Sequence, residues 1–339
     1  MAQINKSSDY FNTKLYTGNA TVRSITGVGF QPDWTWIKRR SGADNHYLFD
    51  AVRGVLNFLQ SNDTSAENTR ASSLTSFDSD GFSLGTHGDV NSSGQTFASW
   101  SWLGGNGTAS NTDGSITSTV SANTTSGFSI VSWTGNGTHP STIGHGLGST
   151  PKMIITKPRS TTGAWHSYHV AIGNGAEIYL DKNNAQSNNT TWNSTTPTSS
   201  VFTVGNNDVN TSGTTYIAYC FAEKKGFSKF GSYTGNGSTD GTFIYTGFKP
   251  AMVILKITSG ASNWRIVDNK RDGYNPQNNP LLPNATDTET TTPIVDLYSN
   301  GFKLRTTDTA LNGSGNSHIY MAFAESPLVG TNNIPAVAR

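Results

Sequence analysis

A few charged residues recur at spacings that chemistry could use. Asp50 and Arg53 stand three apart before Gly54, and Asp268 and Arg271 stand three apart before Gly273. A carboxylate and a guanidinium so placed can tie down a tight turn through a charge-assisted hydrogen bond, or offer a polar hook to a sugar hydroxyl. The pairing reading is preferred, because the matching stretch His169-Val170-Ala171-Ile172-Gly173 lacks both charges. Lys38, Lys157 and Lys256 each close an apolar run that a proline opens six residues earlier. A cation repeated beside aromatics can contact an acidic glycan or a neighbouring subunit. The plainer expectation is that each stem runs along a buried face while the ammonium reaches water at a strand end and blocks edge pairing. These seven residues are the candidate ligand or subunit contacts.

Other groupings carry less. Asp78-Ser79-Asp80-Gly81 resembles the start of a calcium loop, but its counterparts Thr198-Ser199-Ser200 and Tyr298-Ser299-Asn300-Gly301 hold too few carboxylates, so a turn is expected. His166 and His169 would share a helix face, but in a strand they point to opposite sides, which argues against a metal. Cys220 lies in an apolar strand and reads as an inert core thiol. No paired carboxylates recur at fixed phase, so a glycosidase is disfavoured. No catalytic, cofactor-binding or metal-binding residue is expected, and no cofactor.

The elements that position these residues are written three times. Thr-Gly-Asn begins at Thr17, Thr134 and Thr234, spacings of 117 and 100. Pro32, Pro151 and Pro250 keep the phase, and eight residues past each repeated lysine stand His46, Trp165 and Trp264. Each copy ends in an Asn-x-Ser-Gly turn and a last apolar segment. There Ala98, Trp100 and Trp102, then Ile217, Tyr219 and Phe221, then Ile319, Met321 and Phe323 alternate with period two, as in a half-buried strand. The intervening positions Ser99 and Ser101 are small, so the second face is expected to be less deeply buried or to pack on the next domain.

Turn signals every 8 to 12 residues predict an all-β chain of three tandem antiparallel β-sandwich repeats, jelly-roll or lectin-like, of about 100 residues each, each able to bury its own core. The expected organisation is an N-terminal arm over 1–8, a first sandwich over 9–103 and a Gly/Ser/Thr/Asn-rich linker over 104–126, whose weakly alternating centre from Ser115 to Val120 reads as room for a strand rather than a disordered tether. A second sandwich over 127–225, a third over 226–327 and a C-terminal tail over 328–339 follow.

Composition agrees. Among 339 residues, 46 Thr, 40 Ser, 33 Asn and 36 Gly displace charge, which falls to 13%, and these types form poor helices. With 11% aromatics there is ample material for a core, so disorder is not expected. A net charge of +1 argues against a nucleic-acid partner. No apolar run approaches a membrane span of about 20 residues, so membrane insertion is not expected. The start lacks the apolar stretch of a secretory signal, and the single cysteine excludes an intramolecular disulfide, which together predict synthesis in a cytoplasm and stability from packing alone.

The stretches from Lys6 to Asn19, Gly29-Phe30-Gln31-Pro32-Asp33-Trp34, Thr75 to Gly85 and Gly127-Phe128-Ser129-Ile130 resemble the repeat-bearing virion proteins of marine tailed bacteriophages, often labelled tail-fibre or receptor-binding proteins. The resemblance runs from about Lys6 to Pro327. It implies a non-enzymatic virion structural protein, a short tail fibre or adhesin contacting the host surface. It would be made in the bacterial host cytoplasm and displayed on the virion surface, with other virion proteins and host surface glycan as partners, and a homotrimer by analogy with fibres. The alternative is a head or tail decoration protein that binds only other virion proteins.

Overall fold

The computed structural model describes residues 3–330 and 335. It is almost entirely antiparallel β-structure arranged as sandwiches. Three large sheets carry the same central strand order. In the first, Phe11–Thr17, Thr96–Trp102, Trp34–Arg39 and His46–Asp50 lie side by side. In the second the matching strands are Phe128–Thr134, Thr215–Ala222, Pro151–Pro158 and His166–His169. In the third they are Ser228–Thr234, Ser317–Pro327, Phe248–Ile257 and Arg265–Asp268. Smaller sheets, such as Arg23–Thr26 with Gly81–Leu84 and Leu74–Asp78, face each large one.

The recurring motifs clamp each other. The Asn that opens each Asn-x-Ser-Gly turn is the last residue of a four-residue helix, Gly88–Asn91, Asn207–Asn210 or Thr309–Asn312. Its buried amide reaches back to the Thr-Gly-Asn turn: Asn91 Oδ1 accepts from the Asn19 amide at 3.0 Å, Asn210 from Asn136 at 3.1 Å and Asn312 from Asn236 at 3.1 Å. The middle glycine of Thr-Gly-Asn is required by this approach, since a Cβ on Gly18 or Gly135 would lie 2.2 Å from the carbonyl oxygen of Ser92 or Thr211. These helices are too short for composition to signal, being held by side-chain caps from His87, Asn206 and Asp308.

The large alternating face does not do what a row of independent sandwiches would require. Trp100 and Trp102, Tyr219 and Phe221, and Met321 and Phe323 all join one cluster in which the three large sheets meet. Trp34 sits in it, with ring centroids 4.4 Å from Trp102 and 4.3 Å from Tyr219, while Phe323 lies 5.2 Å from Phe11 and 5.8 Å from Phe221. The opposite face of each large sheet packs on its own small sheet, with Phe97, Cys220 and Tyr320 in three separate cores. The small face is therefore the private one and the large face the shared one. Ser99 and Ser101 are as buried as their large neighbours. Expecting each segment to bury a core by itself captures half of each sheet.

The linker carries a strand near the stretch where alternation suggests one, and a second before it. Ala109–Asn111 and Ser118–Asn123 add two strands to the edge of the second large sheet, with Val120 opposite Val131. Asp33 holds its start: Oδ2 accepts from the Gly104 amide at 2.8 Å, and Oδ1 from the Ser121 hydroxyl at 3.3 Å. Of the expected arm, Ile4 is buried in the shared core and its amide donates to the Lys225 carbonyl at 3.2 Å. The arm's Met1 and Ala2, and 331–334 and 336–339 of the expected tail, lie outside the described residues. No helix among the described residues is long and apolar enough to cross a membrane.

Candidate functional site

All seven candidate residues are brought to the junctions between the three segments. At each junction the loop that follows the lysine strand takes backbone hydrogen bonds from, or gives them to, a loop of a neighbouring segment. Asp44 N donates to Thr286 O at 2.9 Å, Gly163 N to Thr64 O at 2.8 Å and Ser262 N to Asn183 O at 2.8 Å. The indoles at the position eight past the lysine do the same, Trp165 Nε1 donating to Gln60 O and Trp264 Nε1 to Tyr179 O, both at 2.8 Å.

The lysines belong to this arrangement. Their ammonium groups do not emerge at strand ends, for all three residues are 0% exposed, and their strands are interior to the sheets, so they block no edge. Lys38 Nζ donates to Asp44 O at 2.8 Å and Thr286 O at 3.0 Å, Lys157 Nζ to Gly163 O at 2.6 Å, and Lys256 Nζ to Asn183 O at 3.2 Å and Asn184 O at 2.8 Å. The partners are carbonyls from loops that cross above the strand, which explains why the stems stop short of water. Burial lowers each ammonium to about 8.

This has a measurable sign. Below about pH 8 the lysines are charged in both folded and unfolded chains, and the full cost of burying them is present. From there to about pH 10 the unfolded chain binds protons that the folded chain does not, so stability rises with pH. Urea midpoints are expected to increase between about pH 7.5 and 9.5, and Lys256→Met should flatten that rise. A midpoint that falls over the same interval would contradict buried, desolvated ammoniums. The window closes at higher pH because buried Tyr16 and Tyr219 have phenols raised by burial, which destabilises the fold once unfolded tyrosine ionises.

Asp50, Arg53, Asp268 and Arg271 are turn-closing pairs, and they are also parts of longer relays. Asp50 Oδ1 accepts from the Arg53 amide at 2.8 Å and Oδ2 from the Arg53 side chain, both side chains being 0% exposed. Asp50 Oδ2 also accepts from the Tyr219 hydroxyl of the second segment at 2.7 Å. Arg53 Nη1 continues to Glu67 Oε2 at 3.3 Å, and Glu67 takes both Nε and Nη2 of Arg159 at 3.0 and 2.9 Å. The third segment repeats this onto the first. Asp268 Oδ2 accepts from Arg271 Nε at 2.6 Å and Trp100 Nε1 at 3.0 Å, Arg271 Nη1 lies 3.1 Å from Glu289, and Glu289 accepts from Arg40 Nε at 2.7 Å. Burial disfavours the charge on Arg53 and Arg271, but the adjacent carboxylates outweigh it and hold both guanidiniums above their ordinary value.

The second-to-third junction is the neutral version of the same design. His169 stands for the aspartate, Ile172 for the arginine, Gln186 for the glutamate and Thr258 for the receiving arginine, while Met321 replaces the phenol or indole donor. His169 Nε2 instead lies 3.1 Å from the Tyr320 carbonyl, and burial lowers its imidazole to about 4, so it serves as a neutral donor. The missing charges in this copy reflect a missing partner. Comparing the three copies position by position could have found Glu67, Glu289, Arg40 and Arg159, whose counterparts change together.

The remaining sequence candidates stay structural. Asp80 accepts from the Gly27 and Gly29 amides at 2.9 and 2.7 Å, as a turn should. Cys220 is buried and its thiol is pushed up by burial. No group of three or more His, Cys, Asp or Glu side chains among the described residues is placed to hold a metal.

A family model described as a domain of unknown function, DUF7483, matches residues 6–327. The chain belongs to that family. No curated protein and no solved structure matches it. The match is one continuous span that holds the junction residues, the three lysines and all of the shared core except Ile4.

Proposed function

We propose that this protein is a bacteriophage virion structural protein, a short tail fibre or adhesin that contacts the host surface without enzymatic activity. The observation that carries the reading beyond the sequence resemblance is the placement of its exposed aromatics. Phe243, Tyr245 and Tyr274, 44%, 58% and 73% exposed, all lie in the third segment, whereas the tryptophans are packed inside. Aromatic faces left open on a weakly charged surface rich in Asn, Ser and Thr suit stacking on sugars or on another protein. The buried charges are consumed in the junctions, so they offer nothing to a ligand. Other virion proteins and host surface glycan are the proposed partners.

The purified protein is expected to bind host cells or their surface polysaccharide without releasing reducing ends, and Tyr245→Ser with Tyr274→Ser should weaken binding by at least tenfold. If binding is absent while the protein adds stoichiometrically to particles lacking it, the decoration-protein reading takes its place. Release of reducing ends would overturn the non-enzymatic reading.

A further inference from the structure

The three copies also differ at the position after the repeated lysine, occupied by Arg39, Pro158 and Ile257. In the first segment Arg39 pairs with Asp44 at 2.6 Å, reaches the Gly88 carbonyl at 3.3 Å and lies across Gly42, where its Cδ would be 3.2 Å from an added Cβ. In the third, Ile257 covers Gly260 in the same way. In the second, Gly163 stands in place of the aspartate and the compact Pro158 ring lies against it, 2.4 Å from where a Cβ would be, and a cavity of about 350 Å³ opens beside them. That lies near the lower end of the range of small-molecule sites, about 300–1,000 Å³.

The lining of this cavity is special to the second copy. His166 replaces Tyr47 and Arg265, and beneath it the fully buried Glu177 takes the place that Phe58 has in the first segment. Glu177 accepts from His166 Nδ1 at 2.7 Å, the Tyr179 hydroxyl at 2.6 Å, the Thr191 hydroxyl at 2.7 Å and the Asn189 amide. Burial pushes this carboxyl up, but the bonds from His166, Tyr179 and Thr191 outweigh it and hold it at about 2. The carboxylate is therefore saturated from below and serves to orient His166 and Tyr179 at the cavity wall. Lys182 Nζ lies 3.9 Å over the Tyr179 ring, and among the described residues it forms no ion pair; Asp208, also lining the cavity, forms none either. Thr161, Thr162 and Thr211 complete the rim, the last with its hydroxyl donating to the Asn207 carbonyl at 2.7 Å.

We propose that this cavity binds one hexose unit of a surface glycan. A cation, a carboxylate, the Thr161 and Thr162 hydroxyls, which can donate and accept, and the Tyr179 and Thr211 hydroxyls, which are left to accept, match a vicinal diol, whose hydroxyls both donate and accept. Two opposite charges without a basic cluster disfavour a phosphate or a nucleotide. The inference rests on the reading of the protein as a glycan-contacting adhesin and locates a second contact, separate from the exposed aromatics of the third segment.

The test is saturation-transfer NMR of the full chain with glucose, galactose, mannose and N-acetylglucosamine, alongside host-cell adhesion of the same preparation. At least one sugar should give signals at millimolar concentration. Pro158→Arg, which copies the first segment's solution, and Lys182→Ala should each weaken it at least tenfold while leaving the melting temperature within a few degrees. Sugar signals unchanged in both variants would overturn the site. If no sugar binds but cells are still bound, the site fails and the adhesin reading stands. If sugar binds and is lost in both variants but cells are not bound, the site stands and the adhesin reading fails. Absence of both defeats the two together.

Discussion

Arg53→Met is expected to destabilise the protein by about 3–5 kcal/mol, because it leaves the Asp50 carboxylate buried with no cation beside it. Asp50 and Arg53 are both 0% exposed in their side chains, so water cannot take over the lost partner. The Tyr219 hydroxyl and the backbone amide of residue 53 would still donate to Asp50, but two neutral donors do not replace a guanidinium bonded at 2.8 Å to the Leu48 carbonyl and paired with two carboxylates. Urea denaturation at neutral pH measures the loss. Adding Asp50→Asn should recover at least half of it, since the uncompensated charge rather than the missing contact dominates. A loss below about 1 kcal/mol for Arg53→Met would mean the pair behaves as an exposed surface bridge, contrary to its burial. The neutral junction provides the internal comparison: Ile172→Ala should act only through packing and show no dependence on the titration of a neighbour.

Trp34→Ala should cost a similar amount, about 3–5 kcal/mol, by emptying a large site in the shared core. The more informative expectation is how the loss is distributed. Trp34 touches Trp102 of its own segment and Tyr219, Phe128 and Phe221 of the second, and Phe221 touches Phe323 of the third. Calorimetry of the unmodified chain is expected to give one transition, with calorimetric and van't Hoff enthalpies in agreement, and Trp34→Ala should move that whole transition down. Two or three resolved transitions, with only the earliest displaced, would show that the segments are stable one by one and that the central cluster is a weak interface.

The sequence made the strands, the phase of their alternation and the pairing of Asp with Arg readable, because each depends on neighbours a few residues away. Period two in Thr215–Ala222 is visible as letters, and the turn geometry of Asp50 to Arg53 follows from spacing. What the larger face packs against was not readable, since Trp102 and Phe323 are distant in the chain and alternate in the same way whether they meet a private sheet or a neighbour's. The lysines misled for a related reason. A long stem at a strand end ordinarily reaches water, and here the loops that cross above it, bringing carbonyls from the same segment at Asp44 and Gly163 and from a neighbour at Thr286 and Asn184, keep it in. The cavity beside Pro158 was equally hidden, because a proline ending an apolar run says nothing about the arginine that fills the same place elsewhere.

The kind of atom each repeated residue bonds also bears on how the copies could drift apart. An ammonium held by main-chain oxygens is indifferent to which side chains its neighbours carry, so the loops ending at Thr286 and Asn184 could change letter by letter while Lys38 and Lys256 kept their bonds. An aspartate that needs a phenol or indole across the junction has no such freedom. With Met321 at that position, a carboxylate at position 169 would have no donor there, and the relay is absent as a unit. Substitution is thus expected to be tolerated freely around the lysines and only in coupled steps along the relays.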